Sequence, residues 1–240
     1  MQSLTFSDHA GLMPIGASLC RFFSTPRAAV ATFVILAAGN AAACDTALLL
    51  AIDVSNSVDE AEYRMQIDGL ADALEDPDIV EILVDGNVAL AVMQWSGETD
   101  QSMTQPWARM SLPSDAAALS AAVRTTPRAF ALSDTAPAEA IDAALSQFAD
   151  VADCARRVID VSGDGTANAG GDVARVRLAA ERAGVTINGL AIESMGLAIS
   201  GYYRRSLVTR DGFVITARTH RDYPRAIREK LIRELSRPIG

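Results

Sequence analysis

Residues 47–52, Ala-Leu-Leu-Leu-Ala-Ile, run without a polar side chain and pass directly into Asp53-Val54-Ser55-Asn56-Ser57. A run of that length is too short for an ordinary helix. Its lack of alternation marks a strand covered on both faces, the situation of a central strand in a parallel sheet. An oxygen-rich turn at the end of such a strand is held at the carboxyl edge of the sheet, where open α/β folds collect ligands. This junction therefore suggests both an architecture and a place for chemistry.

The rest of the chain repeats the pattern. Apolar runs of strand length alternate with longer amphipathic stretches, which reads as a doubly wound α/β fold with a mostly parallel central sheet and helices on both faces. Strands are expected at 47–52, 88–95, 156–161, 185–192 and 213–217, with one short antiparallel edge strand at 102–107. Helices are expected at 58–74, 115–123, 136–148, 172–183 and 223–235. Ser57 followed by Glu60 has the spacing of a capping box, Pro77 marks the end of the first helix, and Pro113 breaks the chain after the edge strand. A glycine-containing loop is expected to run through Gly201. No internal repeat or linker divides the series.

The first 43 residues carry a different signal. Arg21 and Arg27 precede the apolar stretch 28–38, and small residues follow up to Ala43. Basic, apolar and small is the order of a secretory leader, so residues 1–43 are read as a signal peptide and 44–240 as the mature domain, periplasmic or secreted. The apolar stretch falls short of the roughly 20 residues that span a bilayer, so no stable membrane span is expected after cleavage. Cleavage would remove Cys20 and leave Cys44 and Cys154. In an oxidising compartment that pair suits a disulfide; lipidation of Cys44 is the alternative.

The formal net charge is -9, and Lys230 is the only lysine. A phosphate-backbone partner needs clustered cations, so no nucleic-acid partner is expected.

Successive residues of an extended segment alternate in direction, so Asp53, Ser55 and Ser57 face the same way. A second oxygen-rich turn, Ser162-Gly163-Asp164-Gly165, follows the strand at 156–161. If these two strands flank the point where strand order reverses, Asp53 and Asp164 meet at one end of the sheet and Cys44 and Cys154 at the other. Each residue also has a plain structural reading. Ser57 and Thr135 could serve as helix caps, Asp164-Gly165 as a simple turn, Trp95 as core, and His220 as an ordinary polar residue at a helix entrance.

Taken together, Asp53-x-Ser55-x-Ser57 after the first strand, Thr135 in a loop entering a helix, and Asp164-Gly165 after a later strand resemble the metal-ion-dependent adhesion site of von Willebrand factor A-type domains. More narrowly, residues 48–58, Gln94-Trp95-Ser96-Gly97, Ser133-Asp134-Thr135-Ala136 and 160–165 resemble a family of exported bacterial A-type domains with no assigned activity. The resemblance covers most of the chain from Asp45 onward. It implies that Ser55 and Ser57 bind a metal directly, that Asp53 and Asp164 bind directly or through water, and that Thr135 binds in some ligated states. It also implies a protein partner that completes the coordination with its own carboxylate, and no enzymatic activity. The departure is Ser162-Gly163-Asp164-Gly165 where most A domains carry Thr-Asp-Gly.

Two carboxylates among neutral hydroxyls suit Mg2+, with Mn2+ or Ca2+ as alternatives, better than a carboxylate-rich calcium cage. With no His or Cys beside the motifs, zinc is not expected. Two other functions fit parts of the pattern. One is an A-type structural domain with a vestigial ion site. The other is a magnesium-dependent phosphatase of the haloacid dehalogenase type, since Gly163-Asp164-Gly165 with Asn168 resembles that superfamily's late motif. The phosphatase reading lacks an acid at position 55 and a lysine ahead of the late motif.

Overall fold

Six strands form one sheet in the order β3-β2-β1-β4-β5-β6 in the computed structural model, which describes residues 44–193 and 198–236. These are β1 (Thr46–Asp53), β2 (Ala89–Trp95), β3 (Gln101–Arg109), β4 (Arg156–Gly163), β5 (Thr186–Ile192) and β6 (Val214–Ala217). All neighbours are parallel except β2 and β3. The leader expected at 1–43, Cys20 and the first part of the expected 194–201 loop lie outside the described residues. Those that are described belong to one compact unit, 40–240.

Seven α-helices accompany the sheet among the described residues: α1 (Glu60–Leu74), α2 (Pro77–Asp85), α3 (Pro113–Arg124), α4 (Pro137–Ser146), α5 (Val173–Arg182), α6 (Ala198–Tyr202) and α7 (Tyr223–Leu235). Strand β1 divides the core by parity. Leu48, Leu50 and Ile52 face a cluster that includes Tyr63 and Leu70 of α1 and Ile227 and Leu231 of α7. Ala47, Leu49 and Ala51 face a second cluster with Ile141 and Ala144 of α4 and Val176 of α5. Burial on both faces explains why the run is unbroken.

The two prolines follow the elements they were expected to end, α1 at Leu74 and β3 at Arg109, and each also starts a helix. Pro77 opens α2, a helix the sequence pattern did not suggest, and Pro113 opens α3. Proline lacks an N–H, but the first turn of a helix has no intrahelical acceptor for one, so it starts helices as readily as it stops them. The capping box is also displaced. Asp59 caps α1 with Glu62, each side chain accepting from the other's backbone N–H, and Ser57 takes no part. The antiparallel edge strand β3 has nine residues rather than six and is bulged against β2. The expected loop through Gly201 is helical from Ala198, as α6.

Strands β1 and β4 are direct neighbours, with Ile52 opposite Ser162. At the far end of the same two strands Cys44 and Cys154 form a disulfide with Cα atoms 4.5 Å apart. Both consequences of placing the reversal between these strands therefore hold. Among the described residues no helix is long and apolar enough to cross a membrane.

Candidate metal centre

Asp53 ends β1 fully buried, and its Oδ1 accepts from the Ser55 amide at 2.8 Å. That bond curls the chain so that the buried Ser55 hydroxyl lies 3.1 Å from the hydroxyl of Ser57, which is exposed at the rim. Ser57 Oγ donates to Asp164 Oδ1 at 2.5 Å, and Thr135 Oγ1 donates to Ser55 Oγ at 3.0 Å. Asp53, Ser55, Ser57, Thr135 and Asp164, drawn from three loops, thus surround one small volume open to solvent at Ser57. Neither Ser57 nor Thr135 caps a helix. Their hydroxyls are spent within the cluster.

The three loops are tied to one another. Asn56 N–H donates to Ser133 O at 2.9 Å, and Ala136 N–H to Ser96 O at 2.8 Å. Ser96 Oγ donates to Asp134 O at 2.9 Å, so the end of β2 carries the Thr135 loop. Asn168, beyond Asp164, accepts from the Thr135 amide through Oδ1 at 2.8 Å. The Arg128 guanidinium donates to Val54 O at 2.8 Å and Ser55 O at 2.9 Å, fixing the first loop from above.

The extra glycine before Asp164 has a steric role. Gly163 closes β4, and a Cβ there would lie 2.7 Å from both Asp53 Oδ2 and the Tyr203 hydroxyl. Glycine lets the Asp53 carboxylate lean over the end of β4 beside Asp164. Tyr203, buried in the turn after α6, closes this side of the cluster.

The electrostatics fit a cation. Burial pushes the Asp53 carboxyl up to about 7; its bonds from Ser55 pull it down, while the charge of Asp164 pushes it up again. Asp53 Oδ2 is buried without a hydrogen-bond partner. A buried carboxyl with a free oxygen, facing a second carboxylate among neutral hydroxyls, is the donor set a hard divalent ion would satisfy.

Sequence reasoning passed over two neighbours of this cluster. His220, read as an ordinary polar residue, is 5 % exposed and stands with Nε2 3.9 Å from Asp164 Oδ2. Its Nδ1 lies 3.1 Å from Glu62 Oε1. Glu62, Asp164 and His220 together offer ligand atoms within 4.8 Å of one another. The premise that no histidine lies near the motifs is therefore corrected: His220 is 56 positions beyond Asp164 in sequence and is brought back by the turn before α7. No local motif announces that return. Trp95 is buried core, as the plain reading had it.

A six-stranded sheet in this order, with an acidic and hydroxyl-bearing cup over the junction of β1 and β4, is the fold of von Willebrand factor A-type domains. Solved structures share the fold. Proximal thread matrix protein 1 from the mussel byssus matches with a TM-score of 0.61 at 14 % identity, over 79 % of this chain and 47 % of that one. A von Willebrand factor type A protein from Catenulispora acidiphila matches at 0.55 and 20 % identity, over 80 % and 42 %. The conserved hypothetical protein BatB from Bacteroides thetaiotaomicron matches at 0.53 and 17 % identity, over 79 % and 98 %. The chain spans about half the length of the first two. No curated protein matches. The chain belongs to the family described as "Protein of unknown function (DUF1194)", whose model matches residues 43–239.

Proposed function

We propose that this chain is a divalent-cation-dependent protein-binding domain of the adhesion type. In this reading Asp53, Ser55, Ser57, Thr135 and Asp164 hold one Mg2+, and Mn2+ or Ca2+ can replace it. The observation that carries the reading is the convergence of two distant loops, with the Ser57 hydroxyl on the Asp164 carboxylate at 2.5 Å. Few protein charges reach the ion, so a coordination position stays open at the Ser57 rim for a carboxylate of the partner protein. A structure of the mussel thread matrix protein has zinc in its MIDAS motif, which supports a metal role for the corresponding cup here. The domain acts outside the cytoplasm in this reading. The Cys44–Cys154 disulfide supports that placement, because such bonds persist in oxidising compartments.

The phosphatase alternative would need a cation for the substrate phosphate. Lys230 is fully buried against Asp160 and Glu234, which weighs against that role. Calorimetric titration of the full chain with Mg2+, repeated on Asp53→Ala, tests the ion site: saturable binding lost in the variant is expected, and no binding to the unaltered chain would leave the site vestigial. Capture of a protein from envelope extract with and without chelator tests the partner. A phosphatase screen with Mg2+ that returned turnover abolished by Asp53→Ala would favour the enzyme.

A further inference from the structure

Asp164 presents its two oxygens to two different neighbourhoods. Oδ1 accepts from Ser57 in the hydroxyl cup, whereas Oδ2 faces Nε2 of His220. Glu62 lies behind the imidazole. Its Oε2 accepts from the Asp59 amide at 2.9 Å as part of the α1 cap, and this aims Oε1 at His220 Nδ1, 3.1 Å away. A carboxylate on Nδ1 makes that nitrogen the donor and turns Nε2 toward Asp164.

Nε2 has no hydrogen-bond partner, and the imidazole is 5 % exposed. Opposite it, at 3.9 Å, is an oxygen of a carboxylate whose side chain is 4 % exposed. The two atoms therefore face each other inside the protein at a separation too great for a hydrogen bond. Around a tetrahedral ion with bonds of about 2.0–2.2 Å to nitrogen and oxygen, two ligand atoms stand about 3.3–3.6 Å apart, so a closure of about half an ångström would seat one ion between these two. An imidazole held by a carboxylate behind it is also the arrangement that raises ligand basicity and fixes ring orientation at metal centres.

We propose that His220 Nε2 and Asp164 Oδ2 form a second cation site, selective for borderline transition metals of the Zn2+ class, with Glu62 as the positioning residue. Asp164 bridges this site to the oxygen cup. The two sites differ in hardness: hydroxyls and carboxylates on one side, imidazole and carboxylate on the other. The inference deepens the preceding reading through Asp164 but does not need Mg2+ to be bound.

The test uses the full chain carrying His9→Ala, so that His220 is the only histidine. Zn2+ calorimetry gives stoichiometry and affinity, and Cu2+ pulsed electron paramagnetic resonance reports an imidazole ligand through its remote nitrogen. Two Zn2+ equivalents and an imidazole signal are expected. His220→Ala and His220→Gln each remove one equivalent and the signal while leaving Mg2+ affinity within about twofold. Glu62→Ala weakens that equivalent by about 10- to 100-fold. Ser55→Ala abolishes Mg2+ binding and keeps the imidazole-bound equivalent. One equivalent without an imidazole signal in the His9→Ala chain would overturn the second site, and that measurement stands even if a His220 variant does not fold. Absence of Mg2+ binding to the His9→Ala chain itself, with the imidazole-bound ion present, would instead overturn only the oxygen cup.

Discussion

Ser57 and Asp164 are 107 positions apart in sequence, yet the hydroxyl of one donates to the carboxylate of the other at 2.5 Å. The contact spans the crevice between β1 and β4, and each residue lies in the loop that leaves its strand. If the pair helps to hold an ion, that ion links the two loops in the folded state and is absent from the unfolded one. Mg2+ at about 100 times its Kd should then add about 2.7 kcal/mol to the stability of the chain. Ser57→Ala and Asp164→Ala should lose that increment, read as the difference between urea midpoints with Mg2+ and with chelator. An equal Mg2+ increment in both variants would place the ion elsewhere.

Burial raises Asp53 to about 7, above its unfolded value, so the ion-free folded state keeps a proton that the unfolded state releases. The sign follows: in chelator, stability is greatest below the unfolded pKa and falls as pH rises through about 7. Urea titrations at pH 5 and pH 8 should differ by a few kcal/mol on this account, and Asp53→Asn should flatten the difference. Mg2+ must displace the proton, so its affinity should drop below about pH 7. A pH profile unchanged by Asp53→Asn would contradict the assignment.

Gly163→Ala would drive a methyl group into Asp53 Oδ2 and the Tyr203 hydroxyl, both 2.7 Å from the added carbon. Overpacking of this kind costs about 1–3 kcal/mol. The variant should also lose Mg2+ binding, because Asp53 cannot stay beside Asp164. Calorimetry and thermal melting of the same preparation check both effects.

Lys230 is buried 2.7 Å from Asp160 of β4 and in contact with Glu234, which also accepts from Asn188 at 2.9 Å. Burial pushes Asp160 up and the Lys230 ammonium pulls it back. Lys230→Met leaves two carboxyls without their cation, and removing one member of a buried pair typically costs about 3–5 kcal/mol. Chemical denaturation should show that loss, and a near-neutral result would contradict a charged pair at this position.

Much of the fold was legible because it is written locally. The apolar run at 47–52 predicted β1 and its double-sided burial, and the oxygen-rich turns after β1 and β4 marked one edge of the sheet. The short helix α2 was less legible, since Pro77 suits either a stop or a first turn. Ser57 carried the spacing of a cap, but the Asp59–Glu62 box two residues on took that role and left Ser57 free for Asp164.

By itself the sequence determined the strand and helix periodicity, the identity of the hydroxyl and carboxyl groups, and their order along the chain, because each depends on residues within a few positions of one another. Tertiary structure alone decided that Asp164 would stand between Ser57 and His220, and that Gly163 would make room for Asp53. The reason is that these contacts are set by strand order and by the path of the chain back to α7. No local propensity encodes distance across a sheet.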